Sequence, residues 1–232
     1  MNTPISPAAK RIGYGSALLS LGFSLVYVAG QIAEWIGLLG SHGGPESAST
    51  PLGLAILLLP SLLLGSSFLV LIATIHHLTF PERRLWSQIA LAFATVYTGL
   101  ISLVYFVQLT LVLPHLMRGE TAGIEMLLFT PFDSFLYAVD ILGYSFMSLA
   151  TLFVAGVFPG KGLQRLARLF LLANGALLPF IALQMYYHPL VYIAALWAIT
   201  FPGATGVLML IFHRAPSTAE TEPPLEPLPP SL

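Results

Sequence analysis

Six long apolar segments follow one another along the chain, and short polar stretches separate them. Each holds about 20 or more residues with few charges, the length that an α-helix needs to cross the hydrocarbon core of a bilayer. The pattern therefore predicts an all-α fold, a polytopic integral membrane bundle of six transmembrane helices. The predicted helices cover residues 13–38, 52–77, 88–113, 133–157, 166–187 and 190–212.

The composition supports a membrane protein. Only 8% of the 232 residues are charged and the mean hydropathy is +0.86, whereas a soluble domain carries about a quarter charged residues. The chain has no cysteine, which excludes disulfides, iron–sulfur clusters and thiolate metal sites. Its net charge of −1 gives no indication of nucleic-acid binding.

The basic residues predict an orientation, because Lys and Arg accumulate in cytoplasmic loops. In a six-helix model, Arg118 lies on one side and the other eight Lys and Arg residues lie on the opposite side. We therefore expect a multi-pass protein of the plasma membrane (the inner membrane in a bacterium) with both termini in the cytoplasm. The predicted organisation is a cytoplasmic segment 1–12, a transmembrane domain 13–213 and a disordered, proline-rich cytoplasmic tail 214–232.

A polar stripe runs along the predicted fourth helix. Asp133, Tyr137, Asp140 and Tyr144 follow steps of four, three and four residues, so they share one helical face. This face cannot point to lipid, because a charge inside the bilayer costs several kcal/mol. It must face the bundle interior or water.

Other predicted helices carry polar groups at the same depth. With the termini inside, the amides and carboxylates of helices 1, 3 and 5 fall in the outer third of the bundle, level with the stripe of helix 4. We therefore predict that these groups converge on one external polar pocket. Its predicted ligand-binding residues are Asp140, Glu34, Gln31, Gln108, Gln184, Tyr105, Tyr137, Tyr144 and Asp133.

The first hypothesis is that this outward-facing pocket binds or transports a small cationic or hydrogen-bonding molecule. Asp140 and Glu34 would be anionic or proton-exchanging partners, the glutamines would orient the ligand, and the tyrosines would form aromatic walls. No catalytic signature such as H-E-x-x-H or G-x-S-x-G is present. We therefore expect a non-enzymatic protein without cofactor or metal.

Two other hypotheses stay open. Ser, Thr, Gly and Gln are ordinary contacts between membrane helices, so the stripes would also suit an accessory or scaffolding subunit. Its partners, besides the lipid bilayer, would be other membrane subunits or further copies of this chain. The third hypothesis is a membrane enzyme that uses Asp140 or Glu34 as an acid or base on a lipid-like substrate.

Overall fold

The computed structural model describes residues 4–42, 50–129 and 132–218. Within these ranges the chain is helical, and six helices are long and apolar enough to cross a membrane. This confirms the predicted all-α fold with six membrane-length helices and is compatible with a multi-pass membrane protein. The helices are α1 Pro7–Trp35, α2 Pro51–His77, α3 Pro81–Arg118, α4 Phe135–Val157, α5 Leu163–Leu183 and α6 His188–Arg214.

The start and end of α1 differ from the prediction for local reasons. The Ser6 side chain accepts a hydrogen bond from the Ala9 amide at 3.2 Å, and Pro7 follows as the first helical residue. A serine cap with proline at the first position is a strong start signal, so residues 7–12 are helical. At the other end, Gly37 has a φ of 80°, a left-handed conformation that ends helices.

Three of the helices are interrupted. In α3 the α-helix Arg84–Val107 continues into a five-residue π-helix, Gln108–Val112, before one last α-helical stretch. π-Helical turns interrupt the regular hydrogen-bond pattern of an α-helix and occur often at functional sites. The α-helical parts of α5 are Leu163–Gly175 and Leu178–Leu183, and α6 has a short segment, Val191–Ala194, before the helix Trp197–Arg214.

The six helices form a closed ring in chain order. Each packs against the next one in the sequence, and α6 packs against α1. Aromatic side chains fill the middle of the ring, where the Phe68 ring lies 5.8 Å from Tyr97 and 5.5 Å from Phe201. All three are almost completely buried, so the centre of the bundle is solid at this level.

The two ends of the described chain meet. The Ile5 amide donates to the Pro216 carbonyl at 3.0 Å, and the Thr218 amide donates to the Ile5 carbonyl at 3.1 Å. We call this side of the bundle the terminal end and the other side the distal end. Because Ser217 is buried, the packed chain extends beyond the predicted tail boundary at 214; residues 219–232 lie outside the described residues.

Small and polar side chains form hydrogen bonds between the helices, as is usual between membrane helices. The Ser20 hydroxyl donates to the Ser67 hydroxyl at 3.0 Å between α1 and α2. The Asn174 amide of α5 donates to Thr151 of α4 at 3.1 Å and accepts from Thr200 of α6 at 3.0 Å. Part of the polar pattern in the sequence therefore serves helix packing.

Gly175 marks a close approach of α5 to α4 and gives a test of the packing. A Cβ atom there would lie 2.7 Å from the Leu152 Cβ and 2.9 Å from its Cα, so the helices would have to separate. We expect Gly175→Ala to lower stability by about 1–3 kcal/mol, measured by thermal unfolding in one detergent. Gly99→Ala is the matched control, because no neighbouring atom lies within 4 Å of that Cβ position. Equal stability of the two variants would contradict the described packing.

Candidate ligand pocket

A cavity of about 350 Å³ lies in the distal half of the bundle, between α1, α4, α5 and α6. It contains five of the residues that the sequence predicts for the site, and it is otherwise lined mainly by apolar side chains. Concave, mostly apolar pockets with a few polar groups are the usual form of small-molecule sites. The five predicted residues in its wall are Gln31, Tyr137, Asp140, Tyr144 and Gln184.

Asp140 is the one carboxylate among the described residues of the cavity wall. Its side chain is buried, and its Oδ1 atom has no hydrogen-bond partner among the described residues. The Tyr105 hydroxyl lies close enough to interact with the carboxylate, and no Lys, Arg or His in the described ranges pairs with it. A buried acceptor without a partner costs about 1–3 kcal/mol, so a native protein that keeps one calls for an explanation.

Aromatic side chains surround this carboxylate. Tyr27, Tyr97, Tyr105, Tyr137 and Tyr144 all lie near enough to interact electrostatically with it. The Tyr105 and Tyr144 hydroxyls are 2.9 Å apart and form a hydrogen bond across the α3–α4 contact. An acidic group among aromatic rings is a suitable environment for an organic cation.

Trp197 joins the aromatic wall from α6. Its ring lies 5.7 Å from that of Tyr27, 6.0 Å from that of Tyr144 and 5.2 Å from that of Phe201, on which it stacks. The indole N–H donates to the Met147 sulfur at 3.4 Å. Trp197 therefore connects the cavity wall to the aromatic centre of the bundle.

The two glutamines in the wall differ in their free hydrogen-bonding capacity. The Gln184 carbonyl accepts from the Tyr137 hydroxyl at 3.1 Å, and its amide donates to the Ile181 carbonyl at 2.9 Å. The amide of Gln31, which is only half-buried, donates to the Tyr27 hydroxyl at 3.3 Å. Gln184 therefore fixes the wall, whereas Gln31 lies where a ligand could reach it.

Four predicted residues lie outside the cavity lining. Tyr105 lies next to Tyr144 on the side away from the cavity, and the two hydroxyls are hydrogen-bonded. Glu34 is buried beside the first turn of α2, where its Oε1 accepts from the Ser41 hydroxyl at 3.3 Å and lies near Gly53; a helix N-terminus favours an acidic group. Asp133 is exposed and precedes the start of α4.

Gln108, the fourth of these residues, anchors a covering loop. It is completely buried at the start of the π-helix, and its amide donates to the Leu127 carbonyl. The Phe129 ring then lies 6.2 Å from that of Tyr137, and Phe132 lies 4.8 Å from Tyr137 and stacks on His188 at 5.1 Å. These contacts cover the distal end above the cavity.

Tyr27 and Trp197 line the cavity but are not among the predicted site residues. Tyr27 lies on the polar face of α1 together with Gln31, so its spacing was a usable signal. Trp197 belongs to an apolar helix without a polar stripe, and only the order of the helices shows that it faces Tyr27. No three His, Asp or Glu side chains of the described chain form a group that would hold a metal ion.

Comparisons with known proteins add no assignment to this geometry. No family model, curated protein or solved structure matches the chain.

Proposed function

We propose that the protein binds a small organic cation in this cavity. The observation that carries the proposal is the Asp140 carboxylate, which is buried in the cavity wall with Oδ1 unpaired among the described residues. An ammonium group in the cavity would donate a hydrogen bond to this carboxylate and balance its charge. The rings of Tyr27, Tyr144 and Trp197 would stabilise the cation from the sides.

The size of the cavity limits the ligand. A volume of about 350 Å³ is near the lower end of the range of about 300–1,000 Å³ for ligand pockets. A head group such as a primary or secondary amine would fill its polar part. Gln31, which is half-buried beside Tyr27, would accept a further hydrogen bond from such a group.

We further propose that the distal end faces outward and both termini are cytoplasmic, in the plasma membrane. Eight of the nine Lys and Arg residues belong to the terminal end, as the positive-inside rule requires. The exception, Arg118, donates to Glu120 at 2.9 Å. This contact keeps the pKa of the Glu120 carboxyl below its usual value, so the pair stays locally neutral.

Binding rather than transport is the activity that this packing favours. A transport path from the cavity to the terminal end would pass the level of Phe68, Tyr97 and Phe201, which are packed against one another. Opening that path would require these rings to separate. The carboxylate and its aromatic wall, in contrast, are already in place for binding.

Native mass spectrometry of the protein extracted gently from its own membrane tests this proposal. We expect a small bound mass on the wild-type protein that is absent from Asp140→Asn. Asp133→Asn is the matched control, because that exposed carboxylate lies outside the cavity lining and its loss should leave the bound mass in place. Stoichiometric protein partners with no small ligand on any form would overturn the proposal in favour of a scaffolding subunit.

A further inference from the structure

The cavity reaches the side surface of the bundle between α1 and α6. Ile32 and Trp35 of α1 and Ala195 of α6 line the cavity and are also exposed on the outside. The exposed fraction is 51% for Ile32 and 54% for Trp35. The mouth of the cavity is therefore formed by these side chains.

The packing of α6 explains this gap. From Trp197 onward, α6 packs along α1, whereas its preceding segment Val191–Ala194 packs on the end of α5. The first part of α6 is therefore directed toward α5, and a slot remains between it and the outer third of α1. Contacts from Phe129 and Phe132 cover Tyr137 at the distal end, so among the described residues the slot at the side is the more open route.

The slot extends into the depth of the bilayer. Val28 lines the cavity seven residues before Trp35, which corresponds to about 10 Å along the helix axis at 1.5 Å per residue. Next to the mouth, Leu196 and Ile199 are 49% and 65% exposed. The slot thus opens onto an apolar surface of the kind that faces lipid tails.

We infer that the ligand is an amphipathic amine that reaches the cavity from the outer leaflet, with its ammonium head at Asp140 and its aliphatic chain leaving between α1 and α6. This inference rests on the proposed function and adds the ligand class and the route. The ammonium head group binds to the acidic and aromatic groups in the cavity. The chain stays in lipid, so the small volume of the cavity does not limit its length.

The dependence of binding on chain length tests the inference. We would measure thermal stabilisation of the protein in lipid nanodiscs by butyl-, octyl-, dodecyl- and hexadecylamine, with Asp140→Asn as the background for nonspecific effects of the amines. The alkyl chain of the amine is surrounded by lipid both before and after binding. The affinity, calculated from the amine concentration in the lipid phase, should therefore change less than about threefold from octylamine to hexadecylamine. A closed cavity would instead accept the short amines and exclude hexadecylamine.

One variant at the mouth and one control variant test the lateral exit directly. Ala195→Trp places a large side chain in the slot and should weaken hexadecylamine binding at least about tenfold, a difference of about 1.4 kcal/mol, while butylamine still binds. Leu210→Trp is the matched control, since Leu210 is exposed on the same helix, lies outside the cavity lining and is about 22 Å along the helix from Ala195. It should leave both affinities unchanged.

The outcomes separate the two proposals. Loss of butylamine binding in Asp140→Asn together with exclusion of hexadecylamine would keep the cation site and overturn the lateral exit. Equal affinity of hexadecylamine for Ala195→Trp and the wild type would also overturn the exit. Absence of Asp140-dependent stabilisation by every amine would overturn the cation site itself.

Discussion

Replacing Asp140 by asparagine is expected to lower the affinity for an organic cation at least about thirtyfold, because the loss of one partner of a buried charge pair costs about 2–5 kcal/mol. The ligand-free variant should be at least as stable as the wild type. In the wild type, Oδ1 of Asp140 has no partner in the described chain, and the carbonyl of an asparagine can still accept from the nearby Tyr105 hydroxyl. The substitution therefore removes the cost of burying a charge and keeps the contact with Tyr105.

The measurement is thermal unfolding of the wild type and Asp140→Asn in one detergent, with and without butylamine. If the carboxylate instead serves mainly to hold helices together, the ligand-free variant should be clearly less stable than the wild type. The comparison therefore distinguishes a ligand site from helix packing. Asp133→Asn controls for the loss of one negative charge in the same part of the chain.

Truncation of Trp197 to alanine is expected to destabilise the bundle more than any other single change proposed above. Trp197 is buried and contacts the rings of Tyr27, Tyr144 and Phe201. In soluble proteins such a truncation costs about 3–5 kcal/mol. Since lipid tails are as apolar as a protein interior, only the packing part of this cost remains in a membrane, and we expect the lower end of the range.

Unfolding in a denaturant series would measure the effect. Trp35→Ala is the matched control, because that indole is more than half exposed and its loss should change stability by less than about 0.5 kcal/mol. Trp197→Phe should recover most of the lost stability, since a phenyl ring can still stack on Phe201. Equal stability of Trp197→Ala and Trp35→Ala would show that the aromatic centre does not support the fold.

The sequence was sufficient for the helices, because length and apolar character directly determine which segments can cross a bilayer. The six predicted segments agree with the six helices of the structure to within several residues at each end. The errors came from local signals. The cap at Ser6 starts α1 six residues before its predicted start, and α3 continues through the π-helix at Gln108 to Arg118, five residues beyond its predicted end.

The candidate site was only partly accessible from the sequence. Spacing on one helix grouped Asp133, Tyr137, Asp140 and Tyr144, of which the last three line one cavity and Asp133 lies outside its lining. The depth of a residue in the membrane could not separate Glu34 or Gln108 from that group. Residues at the same depth can point into different helix–helix contacts. Glu34 faces the start of α2 and Gln108 binds a loop carbonyl, and both facts depend on the order of the helices around the ring.

The contact between α1 and α6 has a mechanical consequence. Every other neighbouring pair in the ring is consecutive in the chain, so a connecting loop limits how far its helices can separate. The pair α1 and α6 is instead held at one end by the two backbone hydrogen bonds between Ile5 and residues 216 and 218. Rotation about this fastening would widen the distal end of the α1–α6 contact without stretching any loop, but it would separate the Tyr27 and Trp197 rings.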